Sequence, residues 1–343
     1  MKQTLFFPLA LLAAMTMAPS AVAQGNTFAA SQMHHKYTAW NAVRNHLISE
    51  ANESLLQTPL QAAYYPGYDC LPKNTWINYV GRDSRYRNSY TRSDWTIATN
   101  GIQLGTDVYR TRQSQVGVLY GYEDSTGTNL GDRIKGWNNY FGVYGVQMVR
   151  SNTDIRTVFN YGWQHYHSQR RGVDDDSYGT AFRGNTAELN IDFGSRIRLI
   201  GWHARPSLGL DWYWNQLHGG RETASETGAH ALQYGRMDFS QLFLRLGSDF
   251  QYEWANWTLE SGVFYSHDLL GQNLRSRVSN GSGARSTLAG SKMGRQVISF
   301  NLGGSRMVMQ DVTIFGGYRG EVTPDRDGRG YTHIGHFGGA VRW

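Results

Sequence analysis

Between Ala187 and Leu199 the chain alternates almost without a break. Ala187, Leu189, Ile191, Phe193, Ile197 and Leu199 fall on one side, and Glu188, Asn190, Asp192, Gly194, Arg196 and Arg198 on the other. Successive side chains of a strand point to opposite faces, so this is a strand with one apolar and one charged face. The charged face is the constraint. A soluble core cannot hold so many charges unpaired, whereas a membrane β-barrel turns its apolar face to lipid and its polar face to a lumen.

The pattern recurs. Pro206, Leu208, Leu210, Trp212 and Trp214 alternate with Arg205, Ser207, Gly209, Asp211 and Tyr213. Leu242, Leu244, Leu246, Phe250, Tyr252 and Trp254 alternate with Gln241, Arg245, Asp249, Gln251 and Glu253. Trp257, Leu259, Val263 and Tyr265 alternate with Thr258, Glu260, Ser266 and Asp268. Tryptophans sit at strand ends, where an aromatic girdle belongs. Twelve such segments are predicted, at 73–81, 97–110, 113–125, 131–150, 153–171, 181–200, 202–219, 236–254, 256–272, 294–310, 312–323 and 329–343. The face assignment is ambiguous at 73–81 and 131–150, where aromatics fall on both sides. Short turns separate some pairs, and polar loops are expected over 82–95, 172–180, 219–235 and 273–293. The expected fold is all-β, a 12-stranded antiparallel transmembrane barrel. A mean hydropathy of −0.51 is compatible with it, because only every second residue meets lipid.

The N-terminal part reads differently. Lys2 precedes an apolar run over Leu5 to Met17, and Ala21-Val-Ala23 is a small-residue cleavage site, so residues 1–23 are predicted to be a secretory signal peptide cut after Ala23. Residues 24–72 form a separate segment. Within it, 27–57 carries no Gly or Pro and no period-2 pattern, and reads as a mostly polar helix. Pro59, Pro66 and Pro72 mark a linker, and 73–343 is the barrel.

Several functions are disfavoured. The formal charge is +6, but the basic residues are interleaved with acids, which argues against nucleic acid. Cys70 stands alone and cannot form an intrachain disulfide. His34-His35 offers no third ligand at metal spacing, and no cofactor motif is present. Ser266-His267-Asp268 puts triad residue types side by side, but strand neighbours face opposite ways. An outer-membrane rim hydrolase using His267 is the weakest reading, and the chain is expected not to be an enzyme.

The last eight residues, His336-Phe-Gly338-Gly-Ala-Val341-Arg-Trp343, match the C-terminal signature of bacterial outer-membrane barrels. In that group the final strand is read by the barrel-assembly machinery, so His336, Gly338, Val341 and Trp343 are candidate assembly determinants. Residues 73–343 further resemble the translocator domain of monomeric autotransporters. Gly101-Ile-Gln-Leu-Gly-Thr-Asp107 and Gly117-Val-Leu-Tyr-Gly-Tyr122 are similar to that family's second and third strands. Asn139-Tyr-Phe-Gly-Val-Tyr-Gly145 and Tyr161-Gly-Trp163 are similar to its fourth and fifth, and 27–57, containing Ala39-Trp-Asn-Ala-Val-Arg44, resembles its pore-threading helix.

The resemblance implies a Gram-negative outer-membrane barrel with its own helix in the pore. The partners it implies are outer-membrane lipid, the assembly machinery and periplasmic chaperones, with the chain a monomer. Helix follows signal peptide almost at once, so at most a minimal passenger is expected. Some members cut their passenger at an adjacent Asn pair. Asn41, Asn45 and Asn52 are not adjacent, which disfavours autocleavage.

The predicted lumen-facing charges are Glu188, Asp192, Arg196, Arg198, Arg205, Asp211, Arg245, Asp249, Glu253, Glu260 and Arg319. They need partners, available from one another, from water, and from Lys36, Arg44, His46, Glu50 and Glu53 of the helix. Such a lumen is either a polar conduit with a docked helix or a barrel filled by ion-paired side chains. A porin-like channel for small polar solutes is the alternative function.

Overall fold

The computed structural model describes residues 72–343, apart from 88–93, 112, 130–131, 151, 172–176, 225–230, 256, 272–274, 281–284, 290–294 and 325–328. Twelve long strands form one antiparallel ring. They are β1 (Asn74–Arg87), β2 (Asp94–Arg110), β3 (Ser114–Asn129), β4 (Asp132–Arg150), β5 (Thr153–Arg171) and β6 (Ser177–Ser195), then β7 (Trp202–Leu217), β8 (Met237–Trp254), β9 (Trp257–Asp268), β10 (Gln296–Met309), β11 (Val312–Thr323) and β12 (Arg329–Arg342). Each pairs with its sequence neighbours, and β12 returns to β1 from Asn74↔Arg342 to Arg87↔Arg329. Closure is what lipid demands, since an unpaired backbone edge inside hydrocarbon costs several kcal/mol per group.

Outward side chains are apolar and bare. Phe141 is 56% exposed, Leu302 58% and Phe337 63%. An apolar surface this continuous is stable only against lipid. Trp254 and Trp257 pair in register beside their turn, and the Trp202 and Tyr252 rings lie 5.0 Å apart. Together with Trp343 they mark one rim of the barrel. That rim carries the short connections β2–β3, β4–β5, β6–β7, β8–β9 and β10–β11, as a periplasmic end does. Gly201 has φ 72° in one of these turns, a left-handed backbone natural to glycine.

The structure resolves the two ambiguous faces. On β1, Asn74, Trp76, Asn78 and Val80 point inward, and on β4 so do Ile134, Asn138, Tyr140 and Tyr144. The inward aromatics lie flat over glycines of the next strand. A Cβ on Gly117 would stand 2.1 Å from Tyr144 Cζ, one on Gly121 2.1 Å from Tyr140 Cζ, and one on Gly105 2.3 Å from the Trp76 ring. Each ring and glycine are register partners across adjacent strands. Large rings can thus lie along the wall instead of filling the lumen.

Three expectations need correction. The segment 82–95 is not all loop, because β1 continues to Arg87 and β2 begins at Asp94. Strands of up to 19 residues exceed the roughly 9–11 needed to cross, so their outer ends stand in water, where no apolar alternation marks them. The segments 219–235 and 273–293 contain a small four-stranded sheet built from Gly220–Arg221, Leu232–Tyr234, Arg275–Asn280 and Arg285–Ala289. Finally, β6 ends at Ser195. Ile197–Leu199 forms the tip of the β6–β7 hairpin beyond the last β5 pairing, Thr153↔Ser195, and there Arg198 is exposed and not lumenal.

Candidate functional site in the barrel lumen

Even-numbered residues of β5 and β6 and odd-numbered residues of β7 and β8 point inward, which gathers arginines and aspartates at the periplasmic half of one wall. Asp154 lies 3.0 Å from Arg156, 2.5 Å from Arg205 and 3.4 Å from Arg196. Asp192 binds Arg205 and lies 3.5 Å from Arg245, whose Nε is 3.2 Å from Asp211. Asp249 stands opposite Arg205 in the register. Four arginines thus face four aspartates, with almost no solvent exposure among the side chains of Asp154, Asp192, Asp211 and Arg245. Each charge gives up hydration it can recover only from its neighbours.

From the periplasmic rim of β1–β4 up to mid-height of β5 and β6 the lining is amide and phenol. Tyr144 donates to Asp107 at 2.7 Å and accepts from Trp76 at 3.1 Å. Tyr140 donates to Glu123, and both Asn160 and Asn190 donate to Glu188. On the opposite wall Asn78, Glu260, Asn301, Arg319 and His336 line a cavity together with Gly303 and Gly304. Arg319 donates to Glu321 at 2.8 Å and to Ser299 at 3.2 Å. Glu253 and Glu260 are half-buried.

The outer mouth is apolar. Ile97, Ile134, Tyr166, Phe182, Leu217 and Met237 of six barrel strands pack with Leu232, Tyr234 and Val278 of the small sheet. One carboxylate ties that sheet to the wall. Glu222 accepts from Arg170 Nε at 3.0 Å and from its terminal nitrogen at 2.6 Å. It also accepts from the Leu232 N–H and the Tyr234 hydroxyl, both at 2.8 Å. Burial, reinforced by the Glu222 charge, pushes the Tyr234 phenol well up, so it stays a donor.

The profile of the family described as Autotransporter beta-domain matches residues 75–319. This chain belongs to the autotransporter β-domain family. Solved translocator domains share its fold. That of NalP from Neisseria meningitidis superposes with a TM-score of 0.67 at 12% identity, covering 88% of this chain and 98% of that one. The transport unit of AIDA-I from Escherichia coli gives 0.58 at 15% identity, covering 85% and 97%. The β-domain of Bordetella BrkA gives 0.55 at 16% identity, covering 80% and 100%. No curated protein matches the sequence. The autotransporter barrel resides in the outer membrane of a Gram-negative cell.

Within this translocator barrel, Glu188, Asp192, Arg205, Asp211, Arg245, Asp249 and Arg319 are buried on the inner face, and Arg196 is half-buried against Asp154. Asp154, Arg156, Arg170 and Glu222 were not singled out from the sequence. The first two were readable, since Ile155, Thr157, Phe159 and Tyr161 fix the outward set of that strand. Arg170 and Glu222 meet across 52 residues and had no local signal. Ser266 and Asp268 point inward and His267 outward, so the triad residue types are kept apart. On β12, Gly338 leaves no room for a side chain, since a Cβ there would stand 2.2 Å from the Ile77 carbonyl. Trp343 donates to Thr75 and exchanges backbone bonds with Lys73, joining the two ends of the ring. Ala21, Ala23, the helix at 27–57, His34, His35, the three asparagines and Cys70 lie outside the described residues.

Proposed function

We propose that the barrel serves as a translocator whose lumen is occupied at rest by its own segment 27–57 in helical form. The polar cavity between the β10–β12 wall and Asn78 carries this reading. It offers Glu260 and Arg319 as partners for the charges at Lys36, Arg44, Glu50 and Glu53. The chain reaches β1 at the periplasmic rim, so a helix running inward through the pore would deliver it there. Signal cleavage after Ala23 would precede insertion, and the outward Phe337, Val341 and Trp343 would be offered to the assembly machinery. The unit is read as a transport device and not an enzyme, and as a monomer.

Cross-linking tests the reading. In a Cys70→Ser background, single cysteines at 36, 44, 50 and 53 are each combined with Asn301→Cys. At least one pair should form a spontaneous disulfide in outer membranes, visible as a shift on a non-reducing gel. No disulfide at any of the four positions would overturn the docked helix. A porin-like channel would then be tested by its conductance.

A further inference from the structure

The outward faces of β4, β5 and β6 change character abruptly above the aromatic girdle. Trp163 pairs in register with Asn139, and Trp137 with His165. Above them, on the loop side, stand Lys135 opposite His167 and Arg183 opposite His165. Lys135, His167 and Arg183 are exposed and point away from the lumen. The His165 and His167 ring nitrogens are 2.9 Å apart, and His165 stacks on Trp137 with centroids 5.6 Å apart. Strand spacing puts the four basic side chains within about 10 Å of one another. The loop bearing Asp174 to Asp176 lies outside the described residues, so the site is confined to the residues nearer the girdle.

We propose that this face binds the phosphate groups of a phosphorylated glycolipid in the outer leaflet. Three features select that ligand. The cations stand immediately above a tryptophan girdle, at headgroup depth. They are on the long-loop end, which faces outward. Among the described residues, Lys135 and Arg183 make no ion pair with a carboxylate of this chain, so their charge is available to an external anion. The histidine pair beside them shares one hydrogen bond between its Nε2 atoms, so one ring accepts from the other and the pair adds a polar rim to the two cations. On the far wall Arg85, Arg329 and His333 point outward on β1 and β12, with Asp83 opposite His333, while on the proposed face Asp124 of β3 stands opposite Trp137.

The full-length protein, extracted in mild detergent and delipidated, is titrated with diphosphoryl lipid A and with its dephosphorylated form, and bound lipid is counted by native mass spectrometry. Wild type should prefer the diphosphoryl form by about tenfold. Lys135→Gln combined with Arg183→Gln should abolish that preference, while Arg85→Gln combined with Arg329→Gln should change it by less than about twofold. Heat-modifiable migration confirms that each variant is folded. Equal binding of the two lipids by wild type would overturn the site without need of any variant. A preference surviving in the first variant, or lost equally in the second, would also overturn it.

Discussion

Replacing Gly117 by Ala tests whether the rings on the inner wall are interlocked with it. The new Cβ would stand 2.1 Å from Tyr144 Cζ and 2.3 Å from its hydroxyl, where ordinary contact begins at 3.4 Å. The ring must therefore retreat by about 1.3 Å. Tyr144 is 2% exposed and its hydroxyl is committed to Asp107 at 2.7 Å, so that retreat breaks a buried bond to a carboxylate. Repacking a filled site costs about 1–3 kcal/mol, and losing a hydrogen bond to a charged group about 1.5–3 kcal/mol. Allowing for relaxation, we expect about 3 kcal/mol, or roughly a hundredfold in the folding equilibrium. Urea unfolding in detergent micelles, followed by tryptophan fluorescence, reads it. Tyr144→Ala removes the obstruction, so adding Gly117→Ala to it should cost little more. A Gly117→Ala penalty below about 1 kcal/mol, or strict additivity of the two changes, would refute the interlock.

Other perturbations separate the remaining parts. Arg205→Met leaves Asp192 with Arg245 alone, and should destabilise the barrel by about 3 kcal/mol in the same urea assay. A loss under about 1 kcal/mol would mean the network is already hydrated. Arg198→Gln, at the exposed hairpin tip, should stay within about 0.5 kcal/mol of wild type, and a larger change would place that residue in the lumen after all. Glu222→Gln weakens the tie to Arg170, so a protease added to intact cells should cut within 219–235 faster and planar-bilayer conductance should rise. If neither changes, Glu222 is not what holds the small sheet over the mouth.

Legibility in this chain follows chemistry. Where lipid meets one face and a lumen the other, as at Glu188-Leu189-Asn190-Ile191-Asp192, period-2 alternation exposes both strand and orientation. Arg198 was misread because the alternation runs on for three residues past the point where the neighbouring strand ends, and local pattern carries no information about where a wall stops. The β1 and β4 faces were ambiguous because Trp76, Tyr140 and Tyr144 are inward aromatics, made possible only by glycines on another strand. The small sheet was invisible for a related reason. Its Leu232, Tyr234 and Val278 are few, and their apolar partners belong to six different strands.

The distribution of bulk around the ring bears on how such a lumen works. Trp76, Tyr140, Tyr144 and the arginines of β5, β7 and β8 crowd one arc, whereas on β10 and β11 the register partners Gly303 and Gly317 both face inward. Free space is therefore displaced toward β10–β12, where the two facing glycines leave a gap among Asn301, Arg319 and His336. The opposite arc holds Asp154, Asp192 and Asp211 in pairs with its arginines, so a polypeptide passing along that stretch meets opposed charges instead of a field of one sign. A conduit lined by unpaired arginines would bind acidic segments tightly and release them slowly. Setting four arginines against four aspartates, three of them in ion pairs, keeps the wall polar enough to wet while lessening its preference for acidic sequence, which is what a lumen that must let its contents leave requires.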